Sequence, residues 1–164
     1  YGIPNYRLPK ERLAEDIQNI LATGVETKMN TCIGDGDGEI SFKMLKENYD
    51  AVYISIGAHT DKKLGIPGED AKGVISAIQM LRDIGDGNPP DFTGKNVIVV
   101  GGGNVAMDAT RSAIRLGAKN VSVMYRRRKA DMTALMDEIE AAIAEGAEMN
   151  SMPLRQSKQI KKGM

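Results

Sequence analysis

The stretch NVIVVGGGNVAMD, residues 96–108, constrains this chain more than any other. It reads as a buried strand running through a glycine turn into a helix. Gly101, Gly103 and Ala106 hold the three small positions of the pattern G-x-G-x-x-G/A. Each small residue has a reason. The first permits the tight turn, the second lets the backbone approach a pyrophosphate, and the third lets the helix pack closely on its strand. The N–H groups at the helix start and the positive end of its dipole then face the phosphates. Gly101, Gly102, Gly103, Asn104, Val105 and Ala106 are therefore the candidate pyrophosphate-binding residues.

A short glycine pattern recurs by chance, so its flanks decide its meaning. Residues 96–100 are β-rich and apolar. Residues 104–116 carry an apolar face and end at Gly117, and residues 120–125 form a second strand. A glycine turn that binds nothing is the plainer alternative, and the matching strand, helix and strand weigh against it. The end of the second strand selects the cofactor. An NAD site places Asp or Glu there to accept from the ribose 2′-hydroxyl. Here stand Arg126 and Arg127, followed by Arg128 and Lys129. Guanidinium groups bind a 2′-phosphate through paired charge-assisted hydrogen bonds, which points to NADP(H). A solvated basic turn, or a patch for an acidic partner, is the alternative.

Net charge is zero across 164 residues, so no general attraction to nucleic acid or anionic membrane is implied. No apolar run approaches the ~20 residues of a membrane span. A single cysteine, Cys32, excludes an internal disulfide framework and a cysteine-held iron–sulfur cluster in this chain, and fits a cytoplasmic protein. Cys32 itself reads as a buried structural thiol. The opening residues, without an initiator methionine, read as the middle of a longer protein.

Periodicity predicts helices over residues 10–23, 42–48, 74–84 and 134–145, the last capped by Asp131 or Thr133. Strands are expected over residues 25–31, 51–56 and 147–152. A polar breaker at residues 85–91 divides the chain into segments 1–84 and 92–164. The second reads as β-α-β-α-β, one mononucleotide-binding half of a doubly wound parallel sheet in the α/β class. The basic tail, residues 153–164, has no usable period.

Other signals are weaker. Asp35, Asp37, Gly38 and Ser41 match the middle of a calcium loop, but Ile33 and Met44 stand where its end ligands should be. A surface turn is the better reading. His59, the only histidine, reads as a polar loop residue, and Glu138 and Glu140 as a solvated helix face.

Five motifs then agree in one order: GIPNYRLPK at 2–10, YDAVYISIGA at 49–58, LGIPGED at 64–70, GGGNVAMD at 101–108 and YRR at 125–127. Together they resemble the small (beta) subunit of NADPH-dependent glutamate synthase and related flavoproteins. The resemblance implies an FAD domain interrupted by an inserted NADPH domain. Residues 1–84 would be part of the FAD-binding domain, residues 85–91 a linker, and residues 92–164 a truncated NADP(H)-binding unit. Gly57 would end the strand that packs near the flavin. The implied function is hydride transfer from NADPH to FAD in the parent protein, with electrons passing to iron–sulfur clusters and to the glutamate synthase large subunit or another electron-accepting subunit. No side chain of this chain is assigned a catalytic role and none a metal. The cysteines, the first glycine fingerprint and the closing FAD segment of that family lie outside this sequence. A non-catalytic dinucleotide-binding or interaction module is the rival reading, which flavin absorbance would discriminate.

Overall fold

The computed structural model describes residues 2–151. Helices α1 (Lys10–Leu21), α2 (Phe42–Asn48) and α3 (Ala77–Gly85) precede strand β1 (Asn96–Val100), helix α4 (Asn104–Arg115) and strand β2 (Asn120–Tyr125). A 3-10 turn (Lys129–Asp131), helix α5 (Met136–Ala144) and strand β3 (Glu148–Ser151) follow. The three strands form one parallel sheet in the order β1-β2-β3, with Val97 opposite Val121 and Val99 opposite Val123. Val123 pairs with Met149 on the other side. This is the α/β alternation expected from the sequence, and the bounds of β1 and β2 fall where the pattern put them.

The chain divides into two compact units. One is Lys10–Ala58, and the other comprises the residues up to Pro9 and those from His59 onward. Residues 85–91 lie inside the second of these. Helix α3 joins its core, with Met80 and Leu81 buried against Phe92, Ala109, Ala113 and Val121. A second cluster gathers Ala106, Met107, Val123, Ile139, Ala142 and Ala147. Helix α4 supplies both clusters because Ala106, Ala109 and Ala113 keep one of its sides narrow. It ends where Gly117, at φ +85°, turns left-handed. The Gly117 N–H then donates to Ile114 O and the Ala118 N–H to Ala113 O, closing a Schellman motif that aims the chain into β2. Gly146 closes α5 the same way ahead of β3.

Several expectations give way. Strand β1 is covered on one side only: Ile98 and Val100 remain 62% and 59% exposed. The β-rich runs at 25–31 and 51–56 are not strands. In the Lys10–Ala58 unit the only bridge among the described residues joins Ile33 and Ile40. Cys32 is exposed, since that unit buries no core around it. Helix α3 starts later than its pattern, where the Ser76 hydroxyl accepts from the Gln79 N–H at 3.2 Å. The tail 153–164 lies outside the described residues. Among the described residues no helix is long and apolar enough to cross a membrane.

Candidate functional site

Strand β1 delivers the chain to Gly101, whose N–H donates to Met124 O of β2 at 3.1 Å. Its φ of +152° is open to glycine, and a Cβ there would lie 3.2 Å from the Ala106 Cβ. First and third small positions of the fingerprint therefore explain each other: the turn folds directly onto the first turn of α4. Gly102 is held on the other side. A Cβ on it would come within 2.7 Å of the Tyr125 ring and 3.0 Å of Met132 Cγ. Gly103 differs. Its backbone is extended, at φ −99° and ψ 176°, and an added Cβ would meet only Thr133 Oγ1, at 3.5 Å. Nothing among the described residues demands glycine at 103; the space that the missing side chain leaves is at the start of α4.

Gly103 is also the N-cap of α4, without a side-chain cap, and its carbonyl accepts from the Ala106 and Met107 N–H groups. The earlier N–H groups of a helix have no partner within it. This end has what could hold a pyrophosphate: a glycine turn, no side chain at 103, amide donors and the positive end of a twelve-residue helix. Val105 is exposed and Ala106 buried. Asn104 has a role that the fingerprint does not announce. Its Oδ1 accepts from the Leu135 N–H at 3.0 Å, at the start of α5. Leu135, rather than Asp131 or Thr133, is the N-cap of that helix, and the side chain serving it comes from α4.

Strand β2 ends at Tyr125, against the glycine turn, and Arg126 and Arg127 follow it, both exposed. Arg128 is engaged: Nε and Nη2 each donate to the Asp131 carboxylate at 3.1 Å. That pairing holds the Asp131 carboxyl below the usual range. Among the described residues neither Arg126 nor Arg127 enters an ion pair. The structure thus brings the glycine turn and these two arginines to one edge of the sheet. Gly57, at φ +70°, belongs to the Lys10–Ala58 unit, in a segment without strand structure.

The far side of α4 carries a network that sequence reading missed. Asp108, 8% exposed at its side chain, accepts from Arg7 Nη1 at 2.8 Å. Arg7 Nε lies 3.3 Å from Glu138, which also pairs with Arg111 at 2.8 Å. Arg111 and Arg115 share Glu145, and the Tyr6 ring lies 4.3 and 4.1 Å from their guanidinium carbons. Burial raises the Asp108 carboxyl, with Arg7 opposing it; burial, then Asp108, pushes the Tyr6 hydroxyl up to about 12. Hydrogen bonding from Arg115 chiefly lowers Glu145. Glu138 is therefore not on a solvated face, as its helix pattern suggested. The signal available in sequence was the Tyr6-Arg7 pair, but its partners stand about a hundred residues away.

The profile of the pyridine nucleotide-disulphide oxidoreductase family matches residues 4–163. The NADP(+)-dependent formate dehydrogenase subunit beta of Moorella thermoacetica is 45% identical over 147 residues, which are 88% of this chain and 20% of that protein. The glutamate synthase [NADPH] small chain of Escherichia coli (strain K12) is 34% identical over 166 residues, 94% of this chain and 34% of that one. A structure of Mycobacterium tuberculosis FprA in complex with NADPH superposes with a TM-score of 0.54 at 26% identity, over 65% of this chain and 29% of that one. The chain spans only about a fifth to a third of the length of these relatives.

Proposed function

This chain belongs to the pyridine nucleotide-disulphide oxidoreductase family, and on that premise we propose that its residues 92–151 form the NADPH-binding part of a cytoplasmic flavin-dependent oxidoreductase. The observation that carries the reading is the pairing of two features at one sheet edge. A glycine turn opens onto the start of α4, and Arg126 and Arg127, which enter no ion pair among the described residues, leave the adjacent strand. The fingerprint alone accepts either dinucleotide. The arginines supply the preference, because a 2′-phosphate offers them charge that a 2′-hydroxyl lacks. Gly103 lets the pyrophosphate approach the backbone, while Gly101 and Ala106 hold the turn against α4.

When bound, the nicotinamide supplies the hydride, and the protein sets its position. This chain's residues bind and orient; no side chain need do acid–base chemistry, because the cofactors carry the hydride. The whole protein, in this reading, carries FAD and passes electrons through iron–sulfur clusters to a partner subunit, of the glutamate synthase large-subunit kind or another electron acceptor. Relatives named as a formate dehydrogenase subunit beta and a glutamate synthase small chain support the partner subunit in this reading. Residues 1–84 would belong to the FAD-binding domain and residues 85–91 would link it to the NADP(H) unit. Gly57 would face the flavin there, but its segment forms no strand here, and no step is derived through it.

Calorimetric titration with NADPH and NADH tests the reading. Arg126→Glu and Arg127→Glu should each weaken NADPH by roughly tenfold or more, the size of a lost charge-assisted hydrogen bond, and leave NADH little changed. Equal losses for both nucleotides would remove the arginine assignment.

A further inference from the structure

The candidate arginines sit at the start of a loop, residues 126–135, whose far end is fastened to the glycine turn. The Gly102 carbonyl accepts from the N–H groups of Thr133 and Ala134, each at 3.0 Å. The Asn104 Oδ1 accepts from the Leu135 N–H, also at 3.0 Å. Between these points and β2, the Tyr125 hydroxyl donates to Asp131 O at 3.0 Å, and Arg128 closes on the Asp131 carboxylate. The loop is thereby pinned along its length, and Arg126 and Arg127 are left to face outward at its start. Only one of these fastenings comes from a side chain of the fingerprint itself: Asn104.

Building on the NADPH reading above, we infer that Asn104 is a positioning residue for nucleotide selectivity, coupling the pyrophosphate turn to the loop that presents the 2′-phosphate arginines. The chemistry of the amide fits both tasks. A backbone N–H can meet only the acceptor side of the group, so the Leu135 contact fixes Oδ1 toward the loop. No acceptor meets Nδ2 among the described residues, so its two donors are available to the turn and the phosphates it would hold. Aspartate could accept from Leu135 but could not donate, and alanine could do neither. Placed at the first residue of α4, asparagine meets the arginine loop and the phosphate end of the helix with one side chain. This role goes beyond the line of pyrophosphate contacts that the fingerprint implies, because it acts on the 2′-phosphate through Arg126 and Arg127.

The test is titration of the whole chain, and of its Asn104→Ala and Asn104→Asp variants, with NADPH and NADH separately. Asn104→Ala should lose roughly tenfold more affinity for NADPH than for NADH, because the far end of the loop carrying the arginines loses its fastening at Leu135. Asn104→Asp keeps the acceptor but sets a carboxylate beside phosphate, so it should weaken both nucleotides and leave their ratio within about twofold of wild type. A residue that merely stabilises the fold would move both nucleotides together in the alanine variant. An unchanged ratio there overturns the inference and leaves the NADPH reading standing. Should the alanine variant fail to fold, Asn104→Leu, of similar volume but unable to accept from Leu135, takes its place: a loss selective for NADPH supports the coupling, and an unchanged ratio overturns it. A wild-type chain that does not distinguish the two nucleotides removes the arginine reading and this inference with it.

Discussion

Residues 51–56 and 96–100 are written in the same β-branched, apolar alphabet, AVYISI and NVIVV, yet only the second is a strand. Strand β1 pairs with β2 from Asn96 to Val100 and lays Val97 and Val99 against the cluster around α4. The other run lies in a unit whose helix α1 buries no residue, and its Tyr53 is 91% exposed. β-propensity describes a side chain that suits a pleated, half-buried surface, and it makes no strand where such a surface is not assembled. The same holds for α1, whose Leu13, Ile17 and Ile20 share a face that stays 40–57% exposed.

The largest effect that could break this contrast is a cavity. Met107 is wholly buried between Val123 and Ile139, so Met107→Ala should lower stability by about 2–5 kcal/mol. Ile54→Ala, at a position 64% exposed, should change it by no more than about 0.5 kcal/mol. Thermal unfolding followed by circular dichroism measures both. Comparable losses would mean that residues 51–56 are packed as firmly as the sheet.

Ion pairs sharpen the contrast at a smaller scale. Arg7→Ala leaves the Asp108 carboxylate buried without its guanidinium and should cost about 1.5–3 kcal/mol at neutral pH. Arg12, whose pair with Glu15 is 76% and 62% exposed at the two side chains, should give no measurable change on truncation to alanine. The first loss has a pH signature. Burial already raises Asp108, and Arg7 holds that rise in check. Without Arg7 the carboxyl rises further, so the deficit is full at neutral pH and shrinks as pH falls through the raised value. Protonation then removes the buried charge. A deficit that stays constant down into the acid range would mean that Arg7 acts by packing alone.

What could be read from sequence follows the reach of the interactions. The strand, turn, helix and second strand at 96–125 are local, each residue's reason lying within a few neighbours, and their bounds were legible to within a residue. The glycine turn was legible for the same reason. The contacts of Asn104 with Leu135, and of Arg7 with Asp108, span 31 and 101 residues, and neither pattern nor propensity reports them. The run at 51–56 failed in the opposite sense: its local signal was sound, and the neighbour it needed does not form.

The smallest expected effect tests whether the Lys10–Ala58 unit is organised by something other than packing. Its loop between Ile33 and Ile40 carries Asp35, Asp37 and Glu39 and resembles the centre of a calcium loop. Calcium takes six to eight oxygens, and the twelfth residue of such a loop normally gives two of them. Met44 stands at that position and Ile33 at the first. The Glu39 carboxylate, moreover, is turned inward, accepting from the Gly36 N–H at 2.9 Å, and this hydrogen bond holds its pKa down. Glu39 stands at the seventh position, which gives a backbone carbonyl in such a loop, so its carboxylate does not replace the missing end ligands. Millimolar calcium should therefore leave the melting temperature of the chain unchanged against a magnesium control. A clear rise specific to calcium would show that this unit gains from a cation the order that burial gives the sheet, and the contrast between the two regions would become one of ligand state.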